Sequence, residues 1–448
     1  MKSKLKKIII LFIGLFLVLL LNNTLNFNKG VQTELSIPKQ SAVSMEPISI
    51  DDDATGVGAH NWTWAVSQSW CSGSGTWNDP YIIENIKISG FIYSVGIYIC
   101  NSNVSFIIQD CLIYNSNDGI YLENVNNSRL INNNCSTNIN NGIYLESNCN
   151  NNTISGNTAN DNGEIGIYLR LACNNNSIYN NTANGSICGI FLDLYCDYNT
   201  ISGNTANGNN YHNNYGGILL DAYCDYNTII DNIFYNNTQG IRIASGCDNN
   251  SIYKNFFLEN GIHAIDDGTD NTWNSTSIGN YWDNHTGPDV NDDGIVDDPY
   301  IYIGGTAGSI DYLPIAEDGA PVIVINSPDP GDVIGATAPS FDVTITDVYL
   351  VSMWYTLDGG LHNYTFTENG VINQTAWAAL PEGSVTITFY AIDILGNEAT
   401  EHVIVTKSLT DDVGPVIITI IVVSIVSGVA LIGVGYIYLK KRKNRISE

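Results

Sequence analysis

One tetrad returns through the middle of the chain at a nearly constant interval. Gly-Ile-Tyr-Ile at Gly96 recurs as Gly-Ile-Tyr-Leu at Gly119, Gly142 and Gly166, then as Gly-Ile-Phe-Leu at Gly189, Gly-Ile-Leu-Leu at Gly217 and Gly-Ile-Arg-Ile at Gly240. The steps are 23, 23, 24, 23, 28 and 23 residues, so only one repeat carries an insertion, around Asn209 to Tyr215. A fixed period of this length marks a solenoid, in which one repeat cannot bury its apolar face until its neighbours stack on it. A second apolar beat falls twelve residues after each glycine, at Ile108, Ile131, Ile154, Ile178, Ile201, Ile229 and Ile252. Asn, Asp, Ser and Gly fill the intervals, as tight turns require, and no segment has helical periodicity. The pattern predicts coils of two or three short strands. Each coil pairs with the next as parallel sheet at a spacing of about 4.8 Å.

Alternation along a strand assigns the faces. Residues one and three after the glycine, such as Ile120 and Leu122, are expected to point inward. The residue two after it points outward and reads Tyr98, Tyr121, Tyr144, Tyr168, Phe191, Leu219, Arg242. The residue four after it reads Cys100, Glu123, Glu146, Arg170, Asp193, Asp221, Ala244. An aromatic row is thus expected beside a row of acids broken by one arginine. Seven after the glycine stand Cys149, Cys173, Cys196, Cys224 and Cys247, read first as small apolar core groups. Fifteen after it stand Asn134, Asn157, Asn181, Asn204, Asn232 and Asn255, read as a hydrogen-bonded turn ladder. The remaining cysteines leave bridges open, with no connectivity readable.

The ends of the chain set its expected location. Ile8 to Leu21 is an apolar run behind four lysines, so residues 1–25 read as a signal peptide or N-terminal anchor. Val416 to Leu439 is long enough to span a bilayer, and the basic tail 440–448 reads as a cytoplasmic stop-transfer signal. A single-pass cell-membrane protein with the bulk of its chain outside is the expectation, with 408–415 as a linker. Many Asn-x-Ser/Thr sequons, among them Asn151, Asn175 and Asn249, agree with export as a glycoprotein. The net charge is −28, and only eight of the 17 basic residues lie between the two termini. Such a field repels phosphate, so nucleic acid is not an expected partner. No nucleotide-binding loop, catalytic serine arrangement or metal-spaced histidine pair is present.

From about Tyr81 to Ile315, the Gly-Ile-Tyr-Leu and Asn-Asn-Thr-Ile motifs resemble the NosD-like and carbohydrate-binding/sugar-hydrolysis (CASH-type) repeats of archaeal surface proteins. The likeness includes the opening Gly75-Thr-Trp-Asn-Asp-Pro-Tyr-Ile-Ile-Glu84 and the closing Gly279-Asn-Tyr-Trp-Asp283 and Asp311-Tyr-Leu-Pro314. It implies an all-β, right-handed parallel β-helix over 96–315, with an N-terminal cap over 44–95. Residues 320–407, with Met353-Trp-Tyr-Thr-Leu-Asp-Gly359 and Val385 to Asp393, resemble an Ig-like sandwich. NosD proteins serve copper-site maturation. Here the six His and three Met are unclustered, which argues against that role.

Three kinds of site follow. Tyr98, Tyr121, Tyr144, Tyr168 and Phe191 are candidates for binding glycans, because ring faces suit sugars and neighbouring acids accept hydroxyl hydrogens. Glu123, Glu146, Arg170, Asp193 and Asp221 are the candidates for catalysis, because glycosidases need two carboxyls and lyases use a carboxylate-bound cation with a basic residue. Asp289, Asn291, Asp293, Ile295 and Asp297 follow a calcium-loop spacing, although Tyr300 replaces the closing glutamate. The leading expectation is a surface protein binding glycans, envelope polymers or other surface proteins. A membrane-anchored polysaccharide lyase or glycosidase and a purely structural envelope component are the alternatives.

Overall fold

The structure is a computed structural model that describes residues 43–210, 214–291, 293–317, 319–347 and 349–409. The segments 1–25, 416–439 and 440–448 lie outside these residues, as does most of the linker 408–415. Among the described residues, no helix is long and apolar enough to cross a membrane. The chain divides into two compact units between Glu317 and Asp318.

The first unit is a parallel β-solenoid with three faces. One nine-stranded sheet gathers the tetrad strands, from Ile48–Asp51 through Ile120–Val125, Ile165–Arg170 and Cys188–Asp193 to Ile262–Asp266. A second nine-stranded sheet gathers the later beats, from Tyr81–Glu84 through Thr153–Ser155 and Thr200–Ser202 to Ser251–Tyr253. The third face is sheet only at its ends. Between them, single bridges step through Asn134, Thr158, Thr182 and Thr205. Register is strict on the tetrad face: Tyr144 sits over Tyr121 and under Tyr168, and Leu145 over Leu122 and under Leu169. Ile120, Leu122, Ile167 and Leu169 are fully buried, as the alternation requires. Each such side chain contributes roughly 2 kcal/mol of burial once the coils stack.

The repeating glycine is set by close approach of the coils. A Cβ on Gly166 would lie 2.6 Å from the Gly189 carbonyl and 2.9 Å from the Ala183 methyl. Gly142, Gly189 and Gly217 meet the same kind of obstruction. The tetrad therefore opens on the one residue that lets successive coils close on each other.

The turns are held by three buried ladders. Asn204 shows the unit: its Oδ1 accepts from the Asn181 N–H at 2.9 Å, and its Nδ2 donates to the Ile178 carbonyl at 2.8 Å. This ladder runs Asn133, Asn157, Asn181, Asn204, Asn232, Asn255, Asn280 and ends on the buried Asp311 carboxylate. A second runs Asn152, Asn176, Asn199, Asn227, Asn250, Asn271. A third runs Asn138, Asn162, Ser186, Asn209, Asn237, Asn260. The expected membership needs one correction. The stretch from the Gly119 tetrad to the next strand is one residue short, so Leu130 and Asn133, not Ile131 and Asn134, occupy the core and ladder positions.

Aromatic groups close both ends. The short helix Trp62–Val66 is capped by Asn61, whose side chain accepts from the Trp64 N–H. Its buried Trp62 stacks on Tyr81 at 4.7 Å. At the other end Phe257, Trp282 and Tyr300 stack in series at 4.3 and 4.0 Å. The five ladder cysteines are fully buried, and four of them donate Sγ–H to the carbonyl three residues earlier. All ten cysteines are free thiols, and burial pushes those of Cys135 and Cys149 well above the ordinary value.

The second unit has two sheets. Val322–Ser327, Ser340–Thr346 and Gly370–Val371 form one. Val333–Ile334, Leu350–Thr356, Tyr364–Phe366, Gly383–Asp393 and Glu398–Lys407 form the other. Phe341, Tyr355, Trp377, Ile387 and Phe389 share its core. Buried Lys407 donates to the Trp377 carbonyl at 2.8 Å, at the C-terminus of the helix Gln374–Ala379, where the backbone carbonyls attract a cation.

Candidate functional site

The tetrad face brings the predicted rows together and interlocks them. Tyr121 to Tyr144, Tyr144 to Tyr168 and Tyr168 to Phe191 stack at 4.7–4.9 Å with planes within 17° of parallel. Each ring face is therefore covered by its neighbour, and solvent meets the edges. Coil spacing dictates this, since rings repeating at the strand separation lie at stacking distance. Phe191 is not an exposed member of the row. It is buried with Leu219, Ile165 and Cys188 beneath Tyr215, which lies edge-on at 6.2 Å. The insertion seen in the repeat lengths supplies Tyr215, and it ends the open part of the row.

The phenols are engaged as well. Tyr98 donates to Glu123 and Tyr121 to Glu146, each carboxylate one coil further on, and Tyr168 donates to Asp193 at 3.1 Å. Arg170 lies between two acids, with Nη1 2.8 Å from Glu146 and Nε 3.4 Å from Asp193. Asp221 sits beside Asp193 on the next strand and accepts from the Ala222 N–H. Burial, reinforced by the hydrogen bonds to carboxylates, pushes the Tyr98 and Tyr121 phenols upward. Burial works to raise the Glu146 carboxyl, but Tyr121, Tyr144 and Arg170 overcome it and hold the group below the ordinary glutamate value. Asp193 goes the other way, raised chiefly by burial.

The calcium-spaced loop folds onto its own backbone. Asp289 accepts from the N–H groups of Asp293 and Gly294, Asp293 from Ile295, and Asp297 from Val290. Ile295 bridges to Ile315, which ties the loop to the closing segment. Among the described residues, no three Asp, Glu, His or Cys groups stand close enough together to hold a metal.

The corner between the two large sheets carries residues that the sequence reading passed over. Tyr-Cys-Asp-Tyr-Asn occurs at 195–199 and again at 223–227. That doubled pentad is the signal in the sequence, and it is confined to two coils. Tyr195 stacks on Tyr223 at 5.3 Å and Tyr198 on Tyr226 at 5.0 Å, and all four are between 49% and 56% exposed.

Residues 70–206 match the family model described as right handed beta helix region, and residues 180–287 match that of periplasmic copper-binding protein (NosD). The first supplies the handedness that spacing alone does not give. Among solved structures, the chain resembles the Dettilon tailspike protein gp208, with 18% identity and a TM-score of 0.36 over 68% of this chain and 59% of that one. It thus spans about three-fifths of that tailspike. The periplasmic alginate epimerase AlgG matches with 15% identity and a TM-score of 0.28 over 53% and 73%. Tailspike gp49 of Acinetobacter baumannii bacteriophage Fri1, a capsular polysaccharide depolymerase, matches with 10% identity and a TM-score of 0.22 over 75% and 63%. Likenesses this loose speak to neither substrate nor mechanism. No curated protein matches the sequence.

Proposed function

We propose that this right-handed parallel β-helix protein is a membrane-anchored surface protein that binds glycans or cell-envelope polymers along its tetrad face, without chemistry of its own. The locked row carries the reading. Tyrosine edges and carboxylates repeat coil after coil, already fixed by one another, so a polymer would meet a surface with little ordering left to do. Among the described residues, no hydrogen bond reaches Glu123 Oε1 or Asp193 Oδ1, which leaves them for ligand hydroxyls. The anchor at 416–439 would hold this surface outside the cell, with the second unit as an Ig-like spacer. The loop at 289–297 would take calcium as a brace for the closing segment. Its spacing and its bridge to Ile315 support that role.

The test is retention on immobilised polysaccharides by the full chain and by Tyr121→Ser/Tyr144→Ser/Tyr168→Ser. Binding is expected to fall in the variant. Unchanged retention by a variant with native circular dichroism would overturn the assignment to this face.

One observation favours a second reading, a polysaccharide-cleaving enzyme. Glu146 and Asp193 are shifted in opposite directions on either side of Arg170, as an acid–base pair requires. Release of reducing ends or unsaturated products from a polysaccharide panel, abolished by Glu146→Gln and Asp193→Asn, would support it. No product from the unmodified protein would remove it.

A further inference from the structure

The tyrosine quartet at the corner does not follow from the needs of the fold. In the neighbouring coils the same two turn positions hold Asn148 and Asn151, Ala172 and Asn175, and Gly246 and Asn249. Tyr195, Tyr198, Tyr223 and Tyr226 all have left-handed backbone, with φ between 56° and 65°. Asn and Gly adopt that conformation readily, and a large aromatic residue does so against its preference. Two adjacent coils thus carry rings where the solenoid elsewhere uses small or turn-forming residues. The rings add no core packing, since each is about half exposed.

The surroundings fit a particular occupant. Between each tyrosine pair lies a member of an aspartate column, Asp197 and Asp225, continued by Asp248. In each, Oδ1 accepts from the backbone of the next coil: Asp225 N–H to Asp197 at 2.8 Å, Asp248 N–H to Asp225 at 2.8 Å, and Thr269 N–H to Asp248 at 2.7 Å. Among the described residues, no hydrogen bond reaches the Oδ2 atoms of Asp197, Asp225 and Asp248. Ladder bonding thus fixes the carboxylates, and in Asp197 and Asp225, each flanked by two tyrosines in the chain, it engages one oxygen and leaves the other out of the ladder. Such a patch accepts hydrogen bonds and donates few beyond the phenols, and it lies in a chain of net charge −28. It disfavours acidic polymers and suits the apolar faces and hydroxyl hydrogens of an uncharged sugar chain.

We propose that Tyr195, Tyr198, Tyr223 and Tyr226, with Asp197 and Asp225, form a docking site for an uncharged glycan chain. The site is separate from the tetrad face and on the neighbouring corner. The inference rests on the glycan-binding reading above and gives it a second location and a ligand class.

The test replaces all four tyrosines with Asn, the residue that neighbouring coils use there, so the fold should be kept or gain stability. Full-length protein in detergent, produced in a host without N-glycosylation, is measured against dextran and mannan, chitosan oligomers, and polygalacturonate. We expect dextran or mannan to bind, affinity to fall about tenfold or more in the Asn variant, and polygalacturonate not to bind. Preference for chitosan that disappears in high salt would overturn the proposal in favour of plain charge attraction. Loss of a concentration-dependent dimer in the Asn variant would overturn it in favour of self-association. Full binding by the Asn variant with loss in the Tyr121/Tyr144/Tyr168 variant would overturn this site and leave the tetrad-face reading intact. Absence of binding to every glycan would overturn both.

Discussion

At the scale of single residues, this protein is built from positions where only one side chain works, each for a physical reason. Gly166 is such a position because of coil contact: an added methyl would run into the Gly189 carbonyl and the Ala183 side chain. Backbone cannot yield as a flexible side chain would. Gly166→Ala is therefore expected to lower stability by about 2 kcal/mol or more, within the range of overpacked cores. A lowered midpoint in denaturant unfolding would report it, and an unchanged midpoint would contradict the explanation of the tetrad glycine. Asn204 is the hydrogen-bond counterpart. Asn204→Leu would strand the Asn181 N–H and the Ile178 carbonyl in the interior. Each stranded group costs about 1–3 kcal/mol, so a loss of about 2–5 kcal/mol is expected from the same unfolding measurement. Such residues were legible in the sequence because a side chain that solves a stacking problem must recur in every coil. The exception, Asn134, shows the limit. Counting forward from the glycine cannot detect a turn one residue short inside a coil of ordinary length, and only pairing identifies Asn133 as the ladder member.

At the scale of elements, the three ladders and the two aromatic caps account for how a stack of short strands is terminated and held. The caps bring acids into the interior, and so does the corner that precedes the Gly119 strand. Asp118 is buried there, where its carboxylate accepts from the Asn141 backbone and side chain. Burial raises its proton affinity above that of an ordinary aspartate. Because the folded value is raised, its contribution to stability is fully present below the ordinary aspartate value and is lost as pH rises through the folded one. Asp118→Asn should thus raise the melting temperature at pH 7–8, with the gain shrinking toward pH 4. A gain that grew on acidification would contradict the assignment. The closing element gives a further test. If the 289–297 loop takes calcium, a chelator should lower the melting temperature of the unmodified protein and leave that of Asp289→Ala unchanged. Indifference of the unmodified protein would remove calcium from the account. The acidic loop was visible as a spacing, but its bonding to its own backbone depends on how the chain turns between Asp289 and Asp297, which spacing does not specify.

At the scale of the whole molecule, the sequence made the β-helix plain and its use far less so. Repetition reports on stacking, and stacking fixes what lies inside. Outward positions repeat too, which makes a functional row and a merely tolerated one look alike in the sequence. The aromatic row illustrates this. Its members were correctly placed two residues after each glycine, but ring-on-ring stacking covers their faces and Tyr215 buries Phe191. The corner quartet was missed for the opposite reason, since it breaks the repeat in only two coils. Departures from a repeat are where a solenoid can carry something other than its own assembly. The central claim is that this scaffold binds glycans through its tyrosine-bearing surfaces, and its most direct test is equilibrium binding of the full chain in detergent to a panel of neutral, amino and acidic polysaccharides. The account predicts saturable binding to at least one neutral polymer, weakened by the tyrosine substitutions with the fold retained. No binding across the panel by natively folded protein would contradict it.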